Sequence, residues 1–229
     1  MSCLVTLLLA RGVAIAEVSG QVAALSDYRY RGESLTGGRP AVQVAANYDH
    51  SSGLFLGGLA STVRIDPTAS GLGAQLYGGY AQQVGERASW DIGADSNFFP
   101  HSSIEPSYDY SEAFVGVSYL ATSVRLYYSN DYFGAGGRGV YLEVNASHPL
   151  IDRVSLIGHL GFLDHSQSRT PTTDRKDLSQ LDFKAGIAID LAEFVLELSI
   201  VGTSAERDTC AAGTAHCNTT GVVSISRSF

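Results

Sequence analysis

The links between the apolar stretches of this chain alternate short and long, and that alternation limits the fold more than any motif does. The stretches themselves have a period of two. Val42, Val44, Ala46 and Tyr48 alternate with Gln43, Ala45, Asn47 and Asp49, and Trp90, Ile92, Ala94, Ser96 and Phe98 alternate with Asp91, Gly93, Asp95 and Asn97. Each segment has one apolar and one polar face, which is strand patterning. The period recurs in Leu181, Phe183, Ala185, Ile187 and Ile189, and again in Phe194, Leu196, Leu198 and Ile200. It blurs over 54–64 and 154–165, where both faces carry apolar residues. Twelve strands are expected, near residues 18–30, 40–50, 54–65, 72–84, 88–99, 110–120, 123–133, 139–148, 154–165, 179–190, 193–205 and 219–229.

After every second strand the link is tight: Ser51-Ser52-Gly53, Gly85-Glu86-Arg87, Ala121-Thr122, a turn over 149–153, and Leu191-Ala192. After the others it is longer and rich in Gly, Pro, Ser and Thr: 31–39, 66–71, 100–109, 134–138, 166–178 and 206–218. An even number of strands with loops sorted by end, and both termini on the short side, predicts an all-β fold: a 12-stranded antiparallel up-and-down transmembrane β-barrel. A soluble sandwich has no reason to sort its loops. Strands this long exceed the usual globular length and suit a tilted membrane crossing. No stretch has the roughly 18 consecutive apolar residues of a spanning helix. Composition agrees: Gly 25 and Tyr 12, charged residues at 17%, and lysine only at Lys176 and Lys184. A net charge of -8 lacks the basic stripe of a nucleic-acid binder, so no nucleic-acid partner is expected.

Residues 1–16 read as a signal peptide, with an apolar run over 7–10 and Ala14-Ile15-Ala16 before the cleavage point, which leaves 17–229 as the barrel. Two aromatic rows are expected at the membrane interfaces. Tyr48, Phe55, Tyr80, Trp90, Tyr119, Phe194 and Phe229 form the short-turn row; Tyr28, Tyr30, Phe98, Phe99, Tyr110, Tyr132 and Phe133 form the long-loop row. In the last strand Val223, Ile225 and Phe229 share a parity, the end that outer-membrane proteins present to their assembly machinery. The expected partners are therefore that machinery through Phe229, membrane lipid and lipopolysaccharide, in the outer membrane of a Gram-negative bacterium. The oligomeric state is left open.

The segment Ser26-Asp27-Tyr28-Arg29-Tyr30-Arg31-Gly32 resembles the first-strand motif of the proteobacterial TorF family of porin-type proteins. Similar matches run through Tyr48-Asp49-His50-Ser51-Ser52-Gly53-Leu54-Phe55, Asp131-Tyr132-Phe133-Gly134, Tyr141-Leu142-Glu143 and Val223-Ser224-Ile225-Ser226-Arg227-Ser228-Phe229. The resemblance implies an outer-membrane barrel and passive transport; it supplies no solute and no catalytic residues.

Parity assigns the pore wall. Asp27, Arg29 and Arg31 share one side of the first strand, and Asp49, Asp91, Asp95, Glu112, Arg125, Asp131, Glu143, Asp182, Lys184 and Glu197 point inward by the same rule. Charges are costly in lipid and tolerated in a lumen. Twelve strands about 4.8 Å apart and tilted about 40° leave a side-chain-lined radius near 6 Å at most. That suits small polar solutes or ions, and equally a plugged barrel that serves a structural or surface-binding role. The acidic excess on the wall predicts a modest cation preference. Arg29 and Arg31 at the mouth offer the opposite, a local anion filter.

The chain has no G-x-S-x-G elbow, H-E-x-x-H, P-loop or complete G-x-G-x-x-G, so neither an enzyme nor a cofactor or metal is expected. An embedded hydrolase stays as the weaker alternative, and His159 reads as an inward wall residue. Cys210 and Cys217 flank a polar loop in an oxidising compartment and are expected to form a disulfide. Free thiols, or a metal site using His216, are the rivals.

Overall fold

The computed structural model describes residues 16–65, 70–100, 108–134, 136–167, 176–205 and 217–229. The strands in chain order are β1 (Glu17–Leu25), β2 (Arg29–Tyr30), β3 (Glu33–Ser34), β4 (Ala41–Asp49), β5 (Leu54–Arg64), β6 (Ser70–Val84) and β7 (Ala88–Phe98). They continue as β8 (Tyr110–Tyr119), β9 (Thr122–Ser129), β10 (Gly139–Ile151), β11 (Val154–Gln167), β12 (Lys176–Leu191), β13 (Phe194–Thr203) and β14 (Thr220–Ser228). β1 and β4 to β14 form one closed antiparallel barrel of 12 strands, each paired with the next, and β1 pairs with β14 from Gln21↔Ser228 to Leu25↔Ser224. Closure leaves no strand edge unpaired, which a lipid environment requires. Phe229 reinforces the seam: its N–H and C=O both bond Gly20, and its ring lies so close that a Cβ at Gly20 would meet Cε2 at 2.5 Å. Residues 1–15, most of the signal-peptide segment, lie outside the described residues.

The expected strands are present, with three instructive boundary differences. The first strand ends at Leu25 rather than near 30, because the chain bends at Ser26 and Asp27 and folds into a small β2–β3 hairpin. Its two-residue turn, Arg31 (φ 49) and Gly32 (φ 80), has both residues left-handed, the geometry of a type I′ hairpin turn. The seventh strand ends at Ser129, and Tyr132–Gly134 form a 3-10 turn with Phe133 left-handed at φ 53. Where a turn over 149–153 was expected, β10 instead runs through Pro149 to Ile151, with a register shift between them. The shift accommodates a residue without an N–H to donate.

The barrel inverts the soluble pattern. Leu72, Leu76, Ile92, Val115, Val117, Leu160, Leu181 and Ile200 face outward and are exposed, while Asp91, Asp95, Glu112, Glu143 and Asp182 are buried inside. So continuous an apolar exterior is the lipid-facing band of a membrane barrel.

The short-turn aromatic row largely stands, with Tyr48, Tyr119, Phe194 and Phe229 exposed. Beside Phe194, Arg227 pairs with Glu193 at 2.7 Å and lies over the ring, so its charge leaves the apolar face. Phe55 is a correction. It has the inward parity of β5 and stacks on Phe114, with ring centroids 6.4 Å apart. The long-loop row needs a larger correction: Tyr28, Tyr30, Tyr110, Tyr132 and Phe133 are buried together in an internal cluster, with Phe99 packed against it. Phe98, Tyr128, Phe162 and Phe183 are the exposed aromatics of that half.

Candidate functional site: a lumen narrowed by an inner hairpin

The segment 26–40 leaves the wall and fills the long-loop half of the lumen. Asp27 organises it from within. Asp27 Oδ2 accepts from Arg29 Nε at 2.6 Å, and Oδ1 accepts from Ser34 Oγ at 2.5 Å and Thr36 Oγ1 at 2.8 Å. Ser34 Oγ in turn accepts the Gly38 N–H at 2.9 Å, and Thr36 Oγ1 that of Tyr28 at 3.1 Å. Leu35 supplies the apolar anchor, buried with Val63 and Ile65. The space left beside Tyr28, Tyr30, Leu35, Leu59 and Val63 is about 10 Å³, barely one water molecule.

Several bonds tie this unit to the wall, beginning with the Ser26–Val223 pair at the seam. Arg31 Nη2 reaches Glu112 Oε2 at 2.5 Å, Tyr30 and Tyr110 share a hydroxyl hydrogen bond, and Gln180 Nε2 donates to Glu33 Oε1 at 3.1 Å. The Arg64 N–H donates to the Leu35 carbonyl at 2.6 Å, and Arg29 Nη1 to the Asn218 carbonyl at 3.1 Å. The Arg31–Glu112 pair is almost fully enclosed, with side chains 3% and 1% exposed. Four tyrosine rings surround the guanidinium: Tyr141 at 4.0 Å, Tyr30 at 5.0 Å, Tyr132 at 5.2 Å and Tyr127 at 5.5 Å from Cζ.

The rest of the wall carries further polar clusters. Asp91 Oδ2 accepts from Arg125 Nε at 3.0 Å, and the guanidinium lies 5.0 Å over Phe114. Gly116 makes this approach possible, since a Cβ there would meet Asp91 Oδ1 at 2.6 Å. Lys184 Nζ donates to Glu197 Oε1 at 3.1 Å, and Tyr127 Oη to Glu143 Oε1 at 3.2 Å. His159 Nε2 sits 2.7 Å from Asp182 Oδ1, which also accepts from Tyr141 Oη at 3.2 Å; His159 Nδ1 is 2.7 Å from Asn145 Oδ1. Asp95 accepts from Asn97 Nδ2 at 2.7 Å and lies opposite Glu112 in register.

The parity assignment therefore fares unevenly. Asp91, Asp95, Glu112, Arg125, Glu143, Asp182, Lys184 and Glu197 project from strand faces that point into the barrel. Asp49 has inward parity but sits exposed at the short-turn rim, opposite Glu17. Asp27, Arg29 and Arg31 are inside, though not on the wall, because the strand ends before them. Asp131 is a correction. It is exposed in the turn after β9, where its carboxylate accepts the Gly136 N–H at 2.7 Å, because the chain has left strand geometry by that point.

Parity applied to uncharged residues would also have found Tyr127, two positions from Arg125, and Tyr141, two from Glu143. Glu33, Ser34 and Thr36 had no such signal, because their segment reads as an ordinary loop. Cys217 is buried and disulfide-bonded. Cys210 and His216 lie outside the described residues, so the Cys210–Cys217 pairing is a proposal; no change in thiol-alkylation gel shift without reductant is its expected result, and two labelled thiols would refute it.

A family model described as a bacterial protein of unknown function, Gcw_chp, matches residues 10–229. The chain belongs to the Gcw_chp family. Among solved structures it is similar to the KdgM porin, with TM-score 0.51 and 10% identity over 94% of this chain and 99% of that one. The KdgM porin in complex with disordered oligogalacturonate is similar to it as well, with TM-score 0.50 and 9% identity over 94% and 99%. At such identity the likeness is one of fold, and the fold is that of an outer-membrane porin barrel. No curated protein matches the sequence significantly.

Proposed function

We propose that this Gcw_chp protein is a narrow outer-membrane channel for ions and small polar solutes, with a modest cation preference, and that it is related to the TorF porins. The observation that carries the reading is the lumen wall. Arg29, Arg31, Arg125 and Lys184 each face a carboxylate, at Asp27, Glu112, Asp91 and Glu197. Asp95 and Glu143 are buried acids beyond those pairs. Acidic groups on low-dielectric walls raise the local cation concentration. A mouth filter for anions finds little support, since Arg29 and Arg31 are engaged by Asp27 and Glu112 rather than presented to solvent. The same acid excess argues against a polyanionic sugar such as the oligogalacturonate of the KdgM complex. Phe229, at the seam, is the element we assign to the assembly machinery.

A second reading, a plugged barrel with a structural or surface role, draws on the enclosure of the Arg31–Glu112 pair. Planar-bilayer recordings separate the two. Reversal potentials in a KCl gradient are expected to have the cation sign at 0.1 M and to fall toward zero near 1 M, as the screening length drops from about 10 Å to about 3 Å. An anion sign would overturn the preference, and a silent wild-type barrel would favour the plug.

A further inference from the structure

Four aromatic rings and one carboxylate around a buried cation make the chemistry of a cation receptor, and here the cation belongs to the chain itself. Most of the receptor is independent of the hairpin. Glu112 comes from β8, Tyr127 from β9 and Tyr141 from β10, Tyr127 and Tyr141 are register partners, and Tyr132 follows in the turn after β9. Only Tyr30 travels with Arg31. Glu112 is also under-used: Arg31 engages Oε2, while Oε1 is buried with no hydrogen-bond partner among the described residues.

A guanidinium free of the hairpin backbone could approach both oxygens in the bidentate geometry that this group favours. The hairpin is bonded within itself, through Asp27 to Arg29, Ser34 and Thr36, through Ser34 Oγ to the Gly38 N–H and through the β2–β3 ladder, so the unit can shift without dismantling itself, and left-handed glycines at Gly37 and Gly38 lie on its return limb.

We propose that Glu112, Tyr127, Tyr132 and Tyr141 form a guanidinium-binding site in the lumen, occupied in this state by Arg31 and taken by a guanidinium-bearing solute when the hairpin withdraws. The proposal rests on the channel reading and names the solute class of that channel. Arg31 is then a tethered competitor, and a ligand must outcompete its high local concentration. The planar, weakly hydrated guanidinium suits stacking on rings and a carboxylate better than a compact ammonium does.

The test compares wild type and Arg31→Ala in detergent, each shown to be folded by heat-modifiable gel migration, for binding of ethylguanidinium, ethylammonium and N-ethylurea by calorimetry. Arg31→Ala is expected to bind ethylguanidinium at least about tenfold more tightly than wild type does, because the competitor is gone. Ethylammonium should bind more weakly and N-ethylurea not at all, and adding Glu112→Gln to Arg31→Ala should remove most of the gain. Should Arg31→Ala fail to fold, Arg31→Gln keeps a polar chain of similar length and takes its place. Equal ethylguanidinium affinity in wild type and variant, or binding of N-ethylurea or ethylammonium as tight as that of ethylguanidinium, overturns the assignment. Binding in detergent needs no ion flow, so failure here and failure of the channel reading are distinguishable.

Discussion

Replacing residues 26–40 with a turn of about four residues is expected to raise single-channel conductance by about an order of magnitude, because the hairpin occupies the half of the lumen that a 12-stranded barrel would otherwise leave as an aqueous bore. The replacement is geometrically undemanding. Leu25 and Ala41 are register partners at the ends of β1 and β4, so a tight turn joins them without moving either strand. The barrel's closure, through β1 with β14 and Phe229 with Gly20, stays with the strands, and the removed segment takes from it the Ser26 contacts to Val223, N–H to carbonyl at 2.8 Å and Val223 N–H to Oγ at 3.0 Å, which a serine at the first position of the new turn keeps. Gel migration of unheated samples checks folding before recordings are made. Conductance unchanged from wild type would show that the constriction lies elsewhere, with the wall residues Tyr127 and Tyr141 as the next candidates. The segment takes Asp27 and Glu33 out together with Arg29 and Arg31, so the cation preference should persist in the wider bore, set by Asp91, Asp95, Glu112, Glu143 and Asp182, which stay on the wall.

The barrel was legible in the sequence because lipid imposes two rules at once. Outward residues must be apolar and every backbone group must pair, so Val42 to Tyr48 and Trp90 to Phe98 declare both period and face. Loop sorting then supplied the strand count. What the sequence concealed is the hairpin. Asp27, Arg29 and Arg31 alternate with Tyr28 and Tyr30 as a strand's residues would, and nothing local says that the chain bends at Ser26. The bend is held by tertiary bonds that no period records: the Asp27 carboxylate reaching forward to Ser34 and Thr36, and Glu112 reaching back to Arg31 across the lumen. Arg31-Gly32 is the one local trace, a two-residue turn with glycine second, but an arginine at a left-handed first position is an uncommon hairpin signal. The long-loop aromatic row departs from expectation for the same reason. Tyr30, Tyr110 and Phe133 lie near strand ends, as girdle residues do, yet they cluster inside because the hairpin gives them an interior to fill.

Glu112→Leu is expected to destabilise the barrel by about 3–5 kcal/mol, because it leaves the buried Arg31 guanidinium without its counter-charge. The partner cannot be recovered from solvent, since the side chains of the pair are 3% and 1% exposed. Removing both charges should cost far less: Arg31→Met with Glu112→Leu replaces a desolvated ion pair by apolar groups among Tyr30, Tyr127, Tyr132 and Tyr141, an exchange that is often near neutral. The urea-unfolding cycle built from wild type, the two single variants and the double variant therefore predicts a coupling of about 2 kcal/mol or more. Asp49→Asn, at the exposed rim, is the control and should stay within about 0.5 kcal/mol. The cycle also separates two ways of relieving the stranded charge. If the hairpin holds its place, Glu112→Leu loses stability with little change in conductance. If Arg31 instead carries the hairpin out of the lumen, the stability loss shrinks and conductance approaches that of the barrel lacking 26–40. That second outcome would make Glu112 the latch of the hairpin, and the first would place the latch in the Asp27 network and the Leu35 anchor.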